Sequence, residues 1–164
     1  IDMPHQIVED IKLLKTVCEP CISVEEGKEI AEKLFLALSV SESGVGLAAN
    51  QIGINKRVCV VTAGKPITLI NPEIVSSFGK IMFDEGCLSF PDQMVRTLRS
   101  TNILVKADNL NGPVKYGTKD LNNFEKLLEC ICIQHEIDHL DGITMFDREF
   151  RGNFKSMEQM EETL

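Results

Sequence analysis

Hydrophobic positions along this chain change period twice, and the changes divide it into helix, strands and helix. Ile30, Leu34 and Leu38 recur at helical spacing, joined by Ala31, Phe35 and Ala37, so one face of that segment packs on a core. Ser23-Val-Glu-Glu26 supplies a capping box to open the helix, and Ser and Gly accumulate where it should end, near Val40. From Arg57 to about Tyr116 the pattern becomes short runs rich in Val, Ile, Thr and Phe. Arg57–Val61, Thr68–Asn71, Ile74–Phe78, Ile81–Phe83, Met94–Leu98 and Asn102–Ala107 read as strands, and Asn111-Gly112 as a tight turn. A second helix follows, capped by Asn122 or Asn123, with Glu125 in its first turn and Gly142 placed to stop it. It is apolar on several sides, which predicts a buried helix with sheet around it. Ile7 to Leu14 suits a strand followed by a short turn, and Asp147 to Leu164 a solvated tail or short surface helix. The predicted fold is α+β: short, mostly antiparallel strands around the buried second helix, with the capped N-terminal helix outside.

The buried helix carries the chemistry. His135 and His139 are four apart in His-Glu-Ile-Asp-His, so both imidazoles sit about 40° apart on one face and can reach one metal ion. Glu136 projects beside them, placed to hold a water as general base rather than to ligate. Leu128, Ile131 and Cys132 share the histidines' face and line the approach to them. Two other stretches are unusual. Gly44 to Gly53 packs three glycines and two alanines into ten residues, which suits a backbone passing close to something else. It lacks the Lys-Ser/Thr ending of a phosphate loop, and Asn50 and Gln51 are its hydrogen-bonding side chains. In Asp84 to Pro91, Gly86 permits an unusual backbone angle before Cys87, and Pro91 should end the preceding strand. A thiolate from Cys87 would complete a Cys/His/His set for a divalent transition metal.

Composition narrows the function classes. The chain has 164 residues, most simply one domain spanning 1–164, with 43% apolar residues and a net charge of −8. That charge argues against a nucleic-acid groove. No apolar run approaches the ~18 residues of a membrane span, and no charged-then-apolar leader precedes the first helix. The six cysteines lack the density of a disulfide scaffold, and a reducing compartment is the default. Cys59 reads as buried strand, and Cys18-Glu-Pro-Cys21 as a loop with two thiols rather than a zinc knuckle.

Gly44-Val-Gly-Leu-Ala-Ala-Asn-Gln51, Glu85-Gly-Cys-Leu-Ser89 and Gln134-His-Glu-Ile-Asp-His139 closely resemble, in order, the three motifs of peptide deformylases. The resemblance runs from about Ile7 to Phe146, and a short, bacteriophage-like member is the kind of relative its length suggests. It implies one divalent metal per chain on Cys87, His135 and His139, natively Fe2+, with Zn2+, Ni2+ or Co2+ able to substitute. It implies that Glu136 moves the proton and that the Gln51 amide and the Leu88 backbone N–H stabilise an oxyanion. The substrate would be the formyl-Met end of a nascent peptide, hydrolysed to release formate. Val45, Gly46, Phe83 and Gly86 would join Leu128, Ile131 and Cys132 around it. A monomer in the cytoplasm of a bacterium or a phage-infected host is expected, with an organelle left open. Two departures stand out. Many bacterial relatives have an Arg where this chain has Met94, with Arg96 and Arg99 nearby; Arg99 would instead pair with Glu85. The last eight residues, Met157 to Leu164, hold three Glu and no basic residue, so the basic helix with which some bacterial relatives dock on the ribosome is absent or cut off, and transient ribosome contact is left open but unsupported by this acidic end. Two rivals are an ordinary zinc peptidase that takes its third ligand from Glu158 or Glu161, and a non-catalytic metal-stabilised binding protein, which would have four protein ligands and no open position. Asp138 is left with two roles, orienting an imidazole or pairing with a nearby base.

Overall fold

The computed structural model describes residues 3–152. Three helices and eight strands follow one another as α1 (Ile11–Leu14), α2 (Val24–Ser39), β1 (Gly46–Ala48), β2 (Val58–Val61), β3 (Ile67–Ile70), β4 (Glu73–Phe78), β5 (Ile81–Cys87), β6 (Phe90–Arg99), β7 (Asn102–Lys106), β8 (Val114–Gly117) and α3 (Phe124–Leu140). All strand pairings named in the sheets are antiparallel: β1-β2-β3, β4-β7-β8, and the hairpin β5-β6. The expected α+β class holds.

Side-chain alternation along β2 explains the layering. Val58 and Val60 join Ile30, Ala31, Leu34 and Leu38 of α2 in one buried cluster. Cys59 and Val61 point the other way, into a cluster with Cys130, Ile133, Ile137 and Leu140 of α3 and with Ile103 and Val105 of β7. The order is therefore α2, the β1-β2-β3 sheet, α3, then the β4-β7-β8 sheet. A strand covered on both faces has no polar face to show, which is why Val-Cys-Val-Val is uniformly apolar. For the same reason α3 is buried from Cys130 to Leu140 without a break. Among the described residues no helix is long and apolar enough to cross a membrane.

The caps largely follow the expected chemistry. The Ser23 side chain accepts from the Glu26 N–H at 3.1 Å, while the Glu26 carboxylate reaches back one residue further, to the Ile22 N–H at 3.0 Å. Asn123, of the two candidates, caps α3 by accepting from the Lys126 N–H. Gly142 stops that helix in the left-handed region (φ 71°), its N–H donating to the His139 carbonyl.

Several expectations are corrected. Ile7 to Leu14 holds no strand; Asp10 accepts from the Lys12 N–H and nucleates the short helix α1 instead. Gly44 to Gly53 is not plain loop, since it pairs as β1 with β2 and then closes in a 3₁₀ turn, Ala49–Ile52. β5 and β6 outrun their apolar cores, because their charged residues face each other across a two-stranded hairpin, as Asp84 and Arg96 do. Pro91 does not end a strand: β5 ends at Cys87, and Pro91 is the second residue of β6, tolerated on an edge strand. Asn111-Gly112 lies within a long connection from Lys106 to Val114 rather than a two-residue hairpin. Asn109 stitches that connection to β3 through the Ile70 N–H and the Thr68 carbonyl. Of the closing segment, Met145–Arg148 forms a 3₁₀ turn. Residues 153–164, with Glu158 and Glu161, lie outside the described residues.

Candidate metal centre

Helix α3 sets two of the three donors. Four residues apart on a rigid, buried helix, His135 and His139 bring their Nε2 atoms to 3.1 Å of each other. The third donor arrives from the end of β5, where a bulge between Glu85 and Cys87 turns the thiol inward. Cys87 Sγ lies 3.4 Å from His139 Nε2, and all three donor atoms fall within 4.8 Å of one another. Such a set of one thiol and two imidazoles suits a divalent transition metal.

Around the donors lies a second layer of polar side chains. Glu85 Oε1 sits 2.8 Å from His135 Nδ1, which fixes the ring and leaves Nε2 toward the cluster. Arg99 grips the same carboxylate through Nε at 2.5 Å and Nη2 at 2.9 Å, Thr97 donates to it, and Arg99 Nη1 reaches Asp138 at 2.6 Å. Arg148 closes the network on Asp138 with two bonds of 3.0 Å. Asp138 thus pairs with bases, and the carboxylate that orients an imidazole is Glu85. Burial alone would raise the Glu85 carboxyl, but Arg99 and His135 outweigh it and hold it at about 2. Burial, then His135, push His139 well below the ordinary imidazole range.

The 3₁₀ turn after β1 delivers Gln51. Its Oε1 accepts from the Ala48 N–H at 3.0 Å, which orients the amide so that Nε2 donates to Ser89 Oγ at 3.2 Å and stands 3.4 Å from Cys87 Sγ. Beside it, Asn50 Nδ2 donates to the His139 carbonyl at 2.7 Å, tying this turn to α3. Glu136 is buried, with Oε2 3.9 Å from Cys132 Sγ and no hydrogen-bond partner on Oε1. Burial pushes its carboxyl up to about 7, against the opposing pull of His135.

These groups open onto a cavity of about 620 Å³. Gln51, Cys87, Leu88, His135 and Glu136 line it, and so do Val45, Gly46, Phe83, Gly86, Leu128, Ile131 and Cys132. His139 stays behind that wall, fully buried. A Cβ on Gly46 would meet Cys132 Sγ at 2.6 Å and Glu136 Oε2 at 2.7 Å, so only glycine lets β1 pass this close to α3. The sequence reading missed the Glu85–His135 contact, the Asn50 tie and the parts of Ala48 and Ser89 in holding Gln51. Each joins residues far apart in the chain or a side chain to a backbone atom, and no local pattern marks such a pair. The one available signal was a set of charged residues in a strand region with no apolar alternation.

Residues 4–155 match the polypeptide deformylase family. A peptide deformylase of Dictyoglomus thermophilum is 37% identical over 150 residues, covering 90% of this chain and 93% of that protein. The crystal structure of peptide deformylase from Thermotoga maritima is similar to this fold with a TM-score of 0.76 and 32% identity, over 91% of this chain and 99% of that one. A Met-Ala-Ser-bound crystal structure of class I type b peptide deformylase from Acinetobacter baumannii is similar with a TM-score of 0.71 and 26% identity, over 90% and 98% of the two chains.

Proposed function

Since the chain belongs to the polypeptide deformylase family of metal-dependent amidohydrolases, we propose that Cys87, His135 and His139 hold its metal and that Glu136, Gln51 and Leu88 carry the hydrolysis of formyl-methionyl ends. The observation that bears the proposal is the convergence of one thiol and two imidazoles within 4.8 Å, with Cys87 and His135 at the wall of a cavity. Three protein ligands and an open side suit a catalytic rather than a structural site. Ferrous iron is the proposed native ion, with Zn2+, Ni2+ or Co2+ able to replace it. When bound, the ion supplies the Lewis acidity that makes water a nucleophile near neutral pH.

The chain's own residues then divide the work. Glu136, with an unpartnered oxygen at the cavity, takes a proton from water and delivers it to the departing amide nitrogen. Burial favours the protonated form of this carboxyl, which helps a group that must return the proton it has taken. The Gln51 amide, pre-aimed by Ala48 and Ser89, and the Leu88 N–H face the oxygen that gains charge. Glu85 holds His135 in one orientation throughout. The formyl carbon bears only hydrogen and so tolerates the close wall at Gly46. Val45, Phe83, Leu128, Ile131 and Cys132 offer an apolar slot for the unbranched methionine side chain, with Gly86 backbone at its rim. A relative that holds Met-Ala-Ser supports a methionine-first peptide as product. The proposed setting is a monomer acting on nascent chains in the cytoplasm.

Formate release from a formyl-Met-Ala-Ser peptide, with enzyme purified without oxygen and assayed for metal, tests the reading. Formate at one metal per chain is expected, with kcat reduced about 10²–10⁴-fold in Glu136→Ala while metal is retained. Unchanged turnover in that variant would defeat the proposed role of Glu136.

A further inference from the structure

Away from the cavity, a chain of ion pairs runs from His135 out to the surface. Glu85 sits 2.8 Å from His135 Nδ1, Arg99 holds Glu85 through Nε and Nη2, and Arg99 Nη1 reaches Asp138 at 2.6 Å. The outermost link is Arg148, which donates from Nε and Nη2 to the two Asp138 oxygens, each at 3.0 Å. Arg99, Asp138 and Arg148 do not line the cavity, so contact with a substrate does not account for them.

What holds Arg148 in place is the segment after α3. Met145 is buried, and the Asp147 carboxylate accepts from the Thr144 N–H at 2.9 Å and pairs with Lys15. Further on, the Phe150 N–H donates to the Arg96 carbonyl at 2.8 Å, so the 3₁₀ turn Met145–Arg148 is held on both sides. The Arg148 side chain is 46% exposed and that of Asp138 only 11%, so a surface cation serves an interior carboxylate. Charge balance gives this link its force. Glu85 and Asp138 are two buried carboxylates, and Arg99 and Arg148 are the two guanidiniums set against them. Without Arg148, Arg99 alone serves both. A guanidinium is a rigid plane, so its Nη1 cannot turn further onto Asp138 without loosening Nε and Nη2 from Glu85. Glu85 fixes the ring of His135, and the loosening therefore reaches a candidate metal donor.

We propose that Arg148 is a positioning residue for the metal centre: by engaging Asp138 it leaves Arg99 to Glu85, and so keeps the His135 imidazole aimed at the ion. This deepens the deformylase reading and rests on Cys87, His135 and His139 as its ligands. A half-exposed side chain outside the cavity thus helps to set how tightly, and in what geometry, the ion is held.

The test loads the full chain with Co2+, whose visible absorption reports ligand geometry, and follows release of the ion to an excess of chelator. Arg148→Met keeps the aliphatic stem and removes the guanidinium. It should speed release by about fivefold, below the 10–100-fold typical of a direct outer partner, and should shift the Co2+ bands. At equal metal content, kcat on formyl-Met-Ala-Ser should fall with KM unchanged, since Arg148 does not reach the cavity. Two further variants separate positioning from a general loosening of the turn. Lys15→Met breaks the ion pair that the same turn makes through Asp147, and should leave spectrum and release at wild-type values. In an Asp138→Asn background Arg148→Met should change neither, because the link is already cut. Wild-type spectrum and release in Arg148→Met, equal effects from Lys15→Met, or an undiminished effect in Asp138→Asn overturns the role of Arg148 and leaves the ligands standing. A wild-type chain that binds no Co2+ overturns the ligand set and the proposal with it. The expected spectral and release effects without any formate from the wild type keep the role of Arg148 and remove the deformylase reading.

Discussion

At the scale of single residues, the site is decided by what each side chain can donate or tolerate. Cys87 is the candidate donor that no helix pattern supplies, and as a ligand it would separate this centre from one built on two histidines and a distant carboxylate. Cys87→Ala should lower metal affinity beyond the 10–100-fold typical of lost outer partners, read by competition with a chromophoric chelator. Metal retained at wild-type affinity would restore the peptidase alternative. Gly46 makes a different kind of contribution, by having no side chain. Gly46→Ala forces a Cβ against Cys132 Sγ and Glu136 Oε2, and a displacement of that order costs about 10² in kcat/KM. Steady-state kinetics with metal content measured alongside would show it; full activity would mean that β1 can retreat from α3.

Elements matter through what they hold apart or together. α3 presents both histidines, but β5 and β6 bring the cysteine, the Glu85 brace and the Arg99 that neutralises it. Arg99 is buried between Glu85 and Asp138, so Arg99→Met leaves two buried carboxylates without their shared cation, although Arg148 still serves Asp138. The expected loss is roughly 3–5 kcal/mol, or roughly 6–20 °C in the thermal midpoint, read by scanning calorimetry. A loss below 1 kcal/mol would mean that the network reorganises around the gap. The helices themselves were legible from the chain: Ser23 and Asn123 cap where capping chemistry places them, and α2 buries the stripe its period marks. The β5-β6 hairpin was only half legible. Its apolar cores were visible, but its full length depends on charge pairs that exist only once the two strands face each other.

At the scale of the whole molecule, burial sorts six cysteines into one reactive candidate and five inert thiols. Burial pushes Cys18, Cys21 and Cys130 up to about 11 and takes Cys59 and Cys132 well above the ordinary thiol range. A thiol at about 11 is deprotonated to the extent of about a thousandth at pH 8, since a raised pKa keeps the proton on at every pH below it. Metal-stripped native protein at pH 8 should therefore be alkylated fastest at half-buried Cys87, with the other five slower by about 10² and all six reactive in urea. Peptide mapping after a timed pulse reads this. Fast labelling at Cys18 or Cys21 would show that the N-terminal arm opens in solution.

Local periodicity and local chemistry were enough to determine that two histidines share a helix face, that Glu136 stands beside them, and that strands fill the stretch between two capped helices. These follow from backbone geometry alone, which repeats every 3.6 or 2 residues whatever surrounds it. Where the chain meets itself was decided only by packing. The choice of Glu85 rather than Asp138 to brace a histidine joins residues 50 apart, and the anchoring of Gln51 by Ser89 joins residues 38 apart. The inward turn of Cys87 likewise rests on a bulge in a hairpin pairing. A hydrogen bond of 3 Å between distant residues has no periodic trace in the chain, because its geometry comes into being only when the sheets close around α3.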